Sequence, residues 1–340
     1  MVGRVTRGTG EEVLEGVLNC STCLMEYPVL DGIPYLVSDL RSYVRENLSH
    51  LLARSDVSPE LDGLLGDASG PGTHFEVARQ FTSSYVWDHW ADQDPEEVPP
   101  AELLGTPAPA PGGVVRHLIA GLSDLGRAPE GLTLDLGCSV GRSTFALAER
   151  RDGLVLGGDL NVPMIRLARR ILESGEVRYA RRRVGLVYDH RAFPVAVPGA
   201  ERVDFWAFDA TSPPFASGTI ALATAFNVLD CVPSPHALLK GLEHVLAEGG
   251  GAVLSTPYDW SNGATPYESW LGGHSQRGPW AGASEPFLRA LLTPGAHPHS
   301  LGGLRLVGER DVPWHVRMHD RSTVLYRAHL AALRRTSAPS

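Results

Sequence analysis

Leu132–Ala148 reads LTLDLGCSVGRSTFALA. Leu132, Leu134 and Leu136 alternate through a short strand, Gly137 and Gly141 bracket a tight turn, and Ser143–Ala148 opens a helix. Strand, glycine turn and helix N-terminus in that order turn backbone N–H groups toward a ligand at the carboxyl edge of a sheet. The spacing G-x-x-x-G departs from the G-x-G-x-x-G of a dinucleotide fingerprint, which speaks against a nicotinamide enzyme. Such turns also occur as plain structure, so the weight lies in the strand ends further along the chain.

Leu154–Gly158 reads as a second strand ending in Asp159, where a carboxylate can accept hydrogen bonds from both hydroxyls of a ribose. The same position also suits a helix N-terminus for 162–172. Phe205–Phe208 reads as a third strand with Asp209 at its end, suited to an adenine amino group. Ile220–Phe226 is a fourth, ending at Asn227-Val228-Leu229-Asp230. Ser234-Pro235 then caps a helix expected to stop at Gly249-Gly250-Gly251. Ala252–Thr256 is the fifth strand. Leu304–Glu309 and Thr323–Ala328 are the last two, joined too closely for a parallel crossover and therefore antiparallel.

This succession resembles the class I S-adenosylmethionine-dependent methyltransferases over roughly residues 113–330. Asp135–Gly141, DLGCSVG, is similar to their glycine-rich loop, with Ser139 where the family often has glycine. The resemblance implies an α/β fold with a Rossmann-like seven-stranded sheet whose last strand is antiparallel. It implies S-adenosylmethionine as cofactor, held by Asp135, Gly137, Cys138, Ser139, Gly141, Asp159, Leu160, Asp209, Ala210, Asn227 and Val228. Acceptor residues are expected from loops beyond the fourth and fifth strands and from the final hairpin. Tyr258 and His319 are the catalytic candidates. Trp260, Trp270, His274, Trp314, Arg317 and Tyr85 are the candidates for the substrate, Arg317 pairing with a substrate carboxylate. Each histidine has core or surface packing as its alternative.

Within the C-terminal third, Asn227–Asp230, Ser255–Trp260, Trp270–Gly273 and Asp311–Trp314, with Arg317 and His319, look like the methyltransferase module of ovothiol biosynthesis. That module methylates an imidazole nitrogen of mercaptohistidine, so the resemblance implies an imidazole or amino-acid-derived acceptor. The iron-dependent sulfoxide synthase that accompanies the module in some proteins has no counterpart here, which implies a ready-made substrate.

At the N-terminus, Gly16–Val37 reads GVLNCSTCLMEYPVLDGIPYLV, with Asp31-Gly32 a hairpin turn. Cys20-x-x-Cys23 and the strand after it resemble part of the small zinc-ribbon-like proteins that partner certain methyltransferases. A structural zinc needs four ligands, and only half a set stands here, so a metal-free ribbon is expected; zinc completed elsewhere and a redox pair are the alternatives. No metal site is expected in the rest of the chain. The segments are a ribbon over 1–40, a helical cap with a Pro/Ala/Gly linker over 41–112, and the methyltransferase domain over 113–340. In the cap, Phe81–Trp90 carries aromatics that either pack it on the sheet or lid the cofactor through Tyr85 or Trp87. Residues 176–204 form an extra segment with a possible strand over Val184–Tyr188 and no assigned role.

The 340 residues carry a net charge of −9 and 43% hydrophobic content, enough for a sizeable core and unsuited to unspecific nucleic-acid binding. No apolar run has the length of a membrane span, and the first residues lack a signal-peptide core. Four cysteines without a disulfide framework suit the cytoplasm. The expected partner is a small-molecule acceptor, with oligomers left open. A peptide, protein or natural-product O- or N-methyltransferase is one alternative, and a non-catalytic cofactor-binding module is the other. Against the best-known protein methyltransferases stands Asn227–Asp230 in place of their Asn-Pro-Pro-Tyr.

Overall fold

The chain begins with four antiparallel strands in sequential order, β1 (Val2–Thr9), β2 (Glu12–Asn19), β3 (Glu26–Leu30) and β4 (Ile33–Pro34). Asp31, at φ 53°, and Gly32 make the last turn. The first hairpin was not expected, because an edge strand exposed on one side carries little apolar pattern; Val5 is largely solvent-exposed. Three helices come next, α1 (Leu40–Leu51), α2 (Pro59–Ser69) and α3 (His74–Trp90). Asp39 and Thr73 cap α1 and α3 by accepting from the N–H groups of Ser42 and Glu76. This computed structural model describes residues 2–9, 12–53, 58–98 and 108–336, so residues 99–107 of the proline-rich linker lie outside the described residues.

Helix α4 (Gly113–Leu125), which sequence reading missed, leads into β5 (Thr133–Leu136), α5 (Arg142–Ala148), β6 (Val155–Asp159) and α6 (Val162–Ser174). A hairpin, β7 (Glu176–Val184) and β8 (Val187–Pro194), precedes β9 (Val203–Ala207), β10 (Ile220–Phe226), α7 (Pro235–Val245), β11 (Leu246–Thr256) and α8 (Ser284–Leu291). The expected strand at Val184–Tyr188 is instead the turn of that hairpin. The chain ends in β12 (Leu304–His319) and β13 (Ser322–Arg335). Helix α7 stops before the glycine triplet, which forms a bulge inside β11 between the pairs Ile220–Leu246 and Leu222–Gly251.

The large sheet has the order β12-β13-β11-β10-β5-β6-β9, with β13 antiparallel to its neighbours and the central strands parallel. Strands β5 and β10 are buried throughout, as parallel strands covered on both faces must be. One core joins the sheet to α4, α5 and α6, and a second joins it to α7 and α8. The order reverses between β5 and β10, so the ligand crevice opens at their carboxyl ends. Only His329–Arg334 of β13 pair with β11; the rest of the β12–β13 hairpin overshoots the sheet and packs against α3 and β7. The connection from β9 to β10 contains no α-helix. The ribbon takes that place: Leu36 N–H donates to Ala207 O at 2.7 Å, Tyr35 bridges Ala207, and Leu18 and Tyr27 pack on the second core.

Two buried histidines link this packing to pH. His89 on α3 and His117 on α4 are 4% and 0% exposed, and burial pushes their pKa values down to about 3 and about 4. Both stay neutral in the fold and take up a proton on unfolding near the ordinary 6.5. Stability they confer is complete above that value and falls by about 1.4 kcal/mol per pH unit for each as pH drops toward 4. Urea unfolding from pH 7 to pH 5 is expected to show this slope, and His117→Leu to remove one share of it.

Candidate active site

The glycine loop is built from the strand beneath it. Asp135, 1% exposed, accepts from the hydroxyls of Ser143 at 2.6 Å, Thr144 at 2.7 Å and Thr224 at 2.7 Å, tying β5 to α5 and β10. It lies under the loop, so it positions the loop and does not face a ligand. Burial raises its pKa against these three donors. Gly137 and Gly141 have φ values of 68° and 81°. A Cβ on Gly137 would collide with Val228, and one on Gly141 would sit 2.8 Å from the Phe205 ring. The loop backbone therefore packs directly on Val228 and Phe205, which holds the turn in one place at the end of β5. Cys138 is fully buried, and its N–H and that of Gly137 donate to Gly158 O at 3.1 and 2.7 Å.

Ser139 takes a left-handed φ of 52° where a glycine would be relaxed, its hydroxyl 3.2 Å from Met164 Sδ. Ser139→Gly should raise the unfolding free energy by about 1 kcal/mol and leave S-adenosylhomocysteine affinity unchanged, as read by urea unfolding and calorimetry. Asp159 ends β6 and accepts three backbone bonds, from Ser139 at 2.8 Å, Leu160 at 2.7 Å and Asn161 at 2.9 Å. Burial raises its pKa, and these N–H groups oppose the rise. Leu160 stays 37% exposed, its carbonyl accepting from the Tyr43 hydroxyl at 2.8 Å. Asp209, beside half-buried Ala210, spends one oxygen on Thr211. Asn227 is left-handed at φ 55° and donates its N–H to Ser255 O at 2.7 Å.

Helix α3 closes over this loop. Trp90, 0% exposed, donates to Val140 O at 3.1 Å inside the loop, and Arg142 lies 4.8 Å above its ring. Trp87 is also buried and donates to Glu97, so of the two aromatics considered for a lid only Tyr85 remains 37% exposed. The β7–β8 hairpin braces this helix from behind. Arg181 holds Glu97 through two bonds of 2.8 and 3.0 Å and Asp320 through a third of 2.8 Å. Arg191 pairs with Asp94, and the Arg182 N–H donates to Ser83 Oγ at 2.7 Å. Burial alone would lower the Arg181 pKa, but Glu97 and Asp320 lift it above the ordinary value.

The expected acceptor residues scatter. Trp314 is 2% exposed and 4.6 Å from the His117 ring, so it is core. Arg317 is 4% exposed, its Nη2 bonded to Arg182 O at 2.7 Å and to Asp320, so burial and not a lack of free donors keeps it from a substrate carboxylate. His319 belongs to the β12–β13 turn and accepts from Arg321 N–H, and His274 lies exposed on a loop against Gly272 O. Trp260 and Trp270 stack at 6.0 Å, bonded to Ser284 and Thr265. Tyr258, at φ 55°, turns to the α8 side. There its hydroxyl meets His329 Nδ1 at 2.7 Å, while His329 Nε2 meets Glu309 at 3.0 Å and Arg289 pairs with Glu309. Burial raises the pKa of the Tyr258 phenol.

Of the expected acceptor residues only Tyr85 comes to the end of β10, and it meets there residues that sequence reading passed over. Tyr85 of α3 lies within electrostatic range of Cys231, just past β10, and Asp159 acts on both. Cys231 keeps solvent-exposed surface, but the protein around it desolvates the thiol and, with Asp230, Asp259 and Asp159, pushes it up to about 12. Tyr326, on the overshooting part of β13, donates to Asp259 at 2.8 Å, and Asp259 N–H donates to Asp230 at 2.7 Å. The available signal was Asp230-Cys231 standing directly after Asn227-Val228-Leu229. Among the described residues no group of three or more His, Cys, Asp or Glu could hold a metal, and no helix is long and apolar enough to cross a membrane.

A sheet with its switch point between β5 and β10, a glycine loop after β5 and an acid after β6 define a class I S-adenosylmethionine-dependent methyltransferase. Residues 134–254 match the family described as a methyltransferase domain, and this segment carries the S-adenosylmethionine-dependent methyltransferase fold. A search of curated protein sequences found no match. Among solved structures, a Methanosarcina mazei S-adenosylmethionine-dependent methyltransferase is 19% identical with a TM-score of 0.41, over 63% of this chain and 96% of that one. Haemonchus contortus phosphoethanolamine N-methyltransferase 2, solved with S-adenosylmethionine, is 18% identical with a TM-score of 0.36. That match covers 54% of this chain and only 34% of the other. The Haloferax volcanii complex of the Trm112 methyltransferase activator with a methyltransferase gives 15% identity and a TM-score of 0.39, over 65% of this chain and 91% of that one.

Proposed function

We propose that the chain transfers the methyl group of S-adenosylmethionine to a nitrogen of a small polar acceptor, an imidazole or amino-acid derivative being the preferred class. The observation that carries this is the cover over the end of β10: the Tyr326 hydroxyl of the overshooting hairpin donates to Asp259 at 2.8 Å, the Asp259 N–H donates to Asp230 at 2.7 Å, and Tyr85 of α3 lies within electrostatic range of Cys231. A site covered from two sides suits a small molecule better than a peptide laid across a groove. When bound, S-adenosylmethionine supplies an activated sulfonium methyl. The protein's share is to hold acceptor and donor in line and to shed water, the work of α3 and the hairpin that braces it. Gly137, Ser139, Gly141, Asp159, Leu160, Asp209, Ala210, Asn227 and Val228 are the residues proposed to meet the cofactor, with Asp135 beneath them.

The resemblance to the ovothiol module supports an imidazole nitrogen as the first acceptor to test. The ribbon's resemblance to methyltransferase partners supports reading 1–40 as a built-in partner segment, 41–112 as a cap and 113–340 as the catalytic domain, in a cytoplasmic enzyme of small-molecule biosynthesis. Calorimetry with S-adenosylhomocysteine, alone and with histidine-derived thiols, tests the reading. Micromolar binding that tightens with such an acceptor is expected. Binding that is indifferent to every imidazole would remove the preferred class.

A further inference from the structure

We propose that the mouth of the crevice beyond β10 is a cation-binding subsite, in which the Asp259 carboxylate, oriented by Tyr326, takes an ammonium group that the acceptor carries beside its nucleophilic nitrogen. This rests on the reading of the crevice as the acceptor site. Four elements meet there: α3 through Tyr85, the end of β10 through Asp230 and Cys231, the end of β11 through Asp259, and β13 through Tyr326.

Asp259 is fixed twice. Its N–H donates to Asp230 Oδ2 at 2.7 Å, and its own Oδ2 accepts from the Tyr326 hydroxyl at 2.8 Å. Tyr326 is the only side chain among the described residues that donates to this carboxylate. Behind it, Asp230 is 2% exposed and its buried Oδ1 makes no hydrogen bond. A buried carboxylate oxygen without a donor is costly unless a ligand supplies one or its charge is balanced. Every charged group that acts on the exposed Cys231 thiol is a carboxylate: Asp230, Asp259 and Asp159. Asp159 accepts three backbone N–H groups and is assigned to the cofactor's ribose. Asp230 and Asp259 are the pair left for the acceptor.

Such a mouth attracts a cation and repels an anion. It therefore reverses the expectation of a substrate carboxylate held by Arg317. The nucleophile has to be a second, uncharged nitrogen, because a protonated one has no lone pair to offer. A small molecule with one cationic amine and one neutral ring nitrogen meets both demands.

Cys231 reports on this field without any knowledge of the natural acceptor. The full-length protein is treated with trimethylammonioethyl or sulfonatoethyl methanethiosulfonate, and Cys231 modification is followed by peptide mass mapping. Each rate is divided by that of mercaptoethanol with the same reagent. The cationic reagent is expected to win by about tenfold or more, and Asp259→Asn to pull the ratio toward unity. In the S-adenosylhomocysteine complex, histamine should protect Cys231 at lower concentration than imidazoleacetate, which has the same ring and the opposite charge. A corrected ratio at or below one, or equal protection by the two imidazoles, overturns the proposal. Should Asp259→Asn fail to fold, Tyr326→Phe is expected to weaken histamine protection, and unchanged protection counts against the assignment. Calorimetric binding of S-adenosylhomocysteine to the wild type is read separately: its absence would sink the underlying methyltransferase site, whatever the thiol rates.

Discussion

Asp159→Ala is expected to weaken S-adenosylhomocysteine binding by about 100-fold, the loss of two hydrogen bonds to a charged acceptor, with little change in the unfolding midpoint. The carboxylate receives N–H groups from Ser139, Leu160 and Asn161, so it holds the tip of the glycine loop against the start of α6. Its removal frees three donors that the open crevice lets water satisfy, which is why stability should survive while affinity does not. Burial raises the Asp159 pKa, so the carboxylate begins to protonate at a higher pH than an ordinary aspartate. Affinity should accordingly decline on acidification before that of a free carboxylate would. Calorimetry across pH checks both statements, and wild-type affinity in the variant would contradict the ribose assignment.

Arg181→Leu should cost about 3 kcal/mol of stability, in the range for breaking a buried pair from one side. The Glu97 side chain is only 6% exposed, and Arg181 supplies two of its bonds while Trp87 supplies another. Without the guanidinium, that carboxylate is left buried and uncompensated. Arg181→Leu combined with Glu97→Gln should recover most of the loss, since a neutral amide removes the stranded charge. Urea unfolding of the two variants decides. If the pair is no more stable than the single change, the cost lies in the packing of the hairpin and not in the charge. Cofactor affinity should fall less than stability, because Trp90 still ties α3 to Val140.

The centre of the fold was readable because parallel strands buried on both faces leave long apolar runs, and each ends in one polar residue at the crevice: Asp159, Asp209, Asn227. The acid under the loop was readable as a residue but not as a role, since nothing in DLGCSVG says that Ser143, Thr144 and Thr224 will surround Asp135. The β7–β8 hairpin hid for a different reason. Its inward face mixes buried Val177, Tyr179 and Phe193 with Arg181 and Arg191, and the partners of those arginines, Asp94, Glu97 and Asp320, are distant in sequence. Trp314 and Arg317 looked like ligand contacts because large aromatic and charged residues near a site invite that reading. The overshooting hairpin buries them against α3 and the inserted strands instead. Tyr85, Cys231, Asp259 and Tyr326 carry no common spacing, and only the topology brings them to one place.

Ser139, Asn227 and Tyr258 are three non-glycine residues with φ between 52° and 55°, each just beyond the end of one of three adjacent strands, β5, β10 and β11. The sheet thus keeps its relaxed backbone in the interior and concentrates torsional stress along the rim where cofactor and acceptor are to be received. The pairing of Leu36 with Ala207 has a further consequence for how the molecule comes together. The ribbon strands dock on a strand made about 170 residues later, so their edge stays open until β9 has been synthesised. Such a contact closes late and slowly, and the free ribbon edge in the meantime is a template for a neighbouring chain. Conditions that stall elongation between α6 and β9 should therefore favour entanglement of nascent copies, a liability that belongs to the order of the segments and not to the stability of the finished fold.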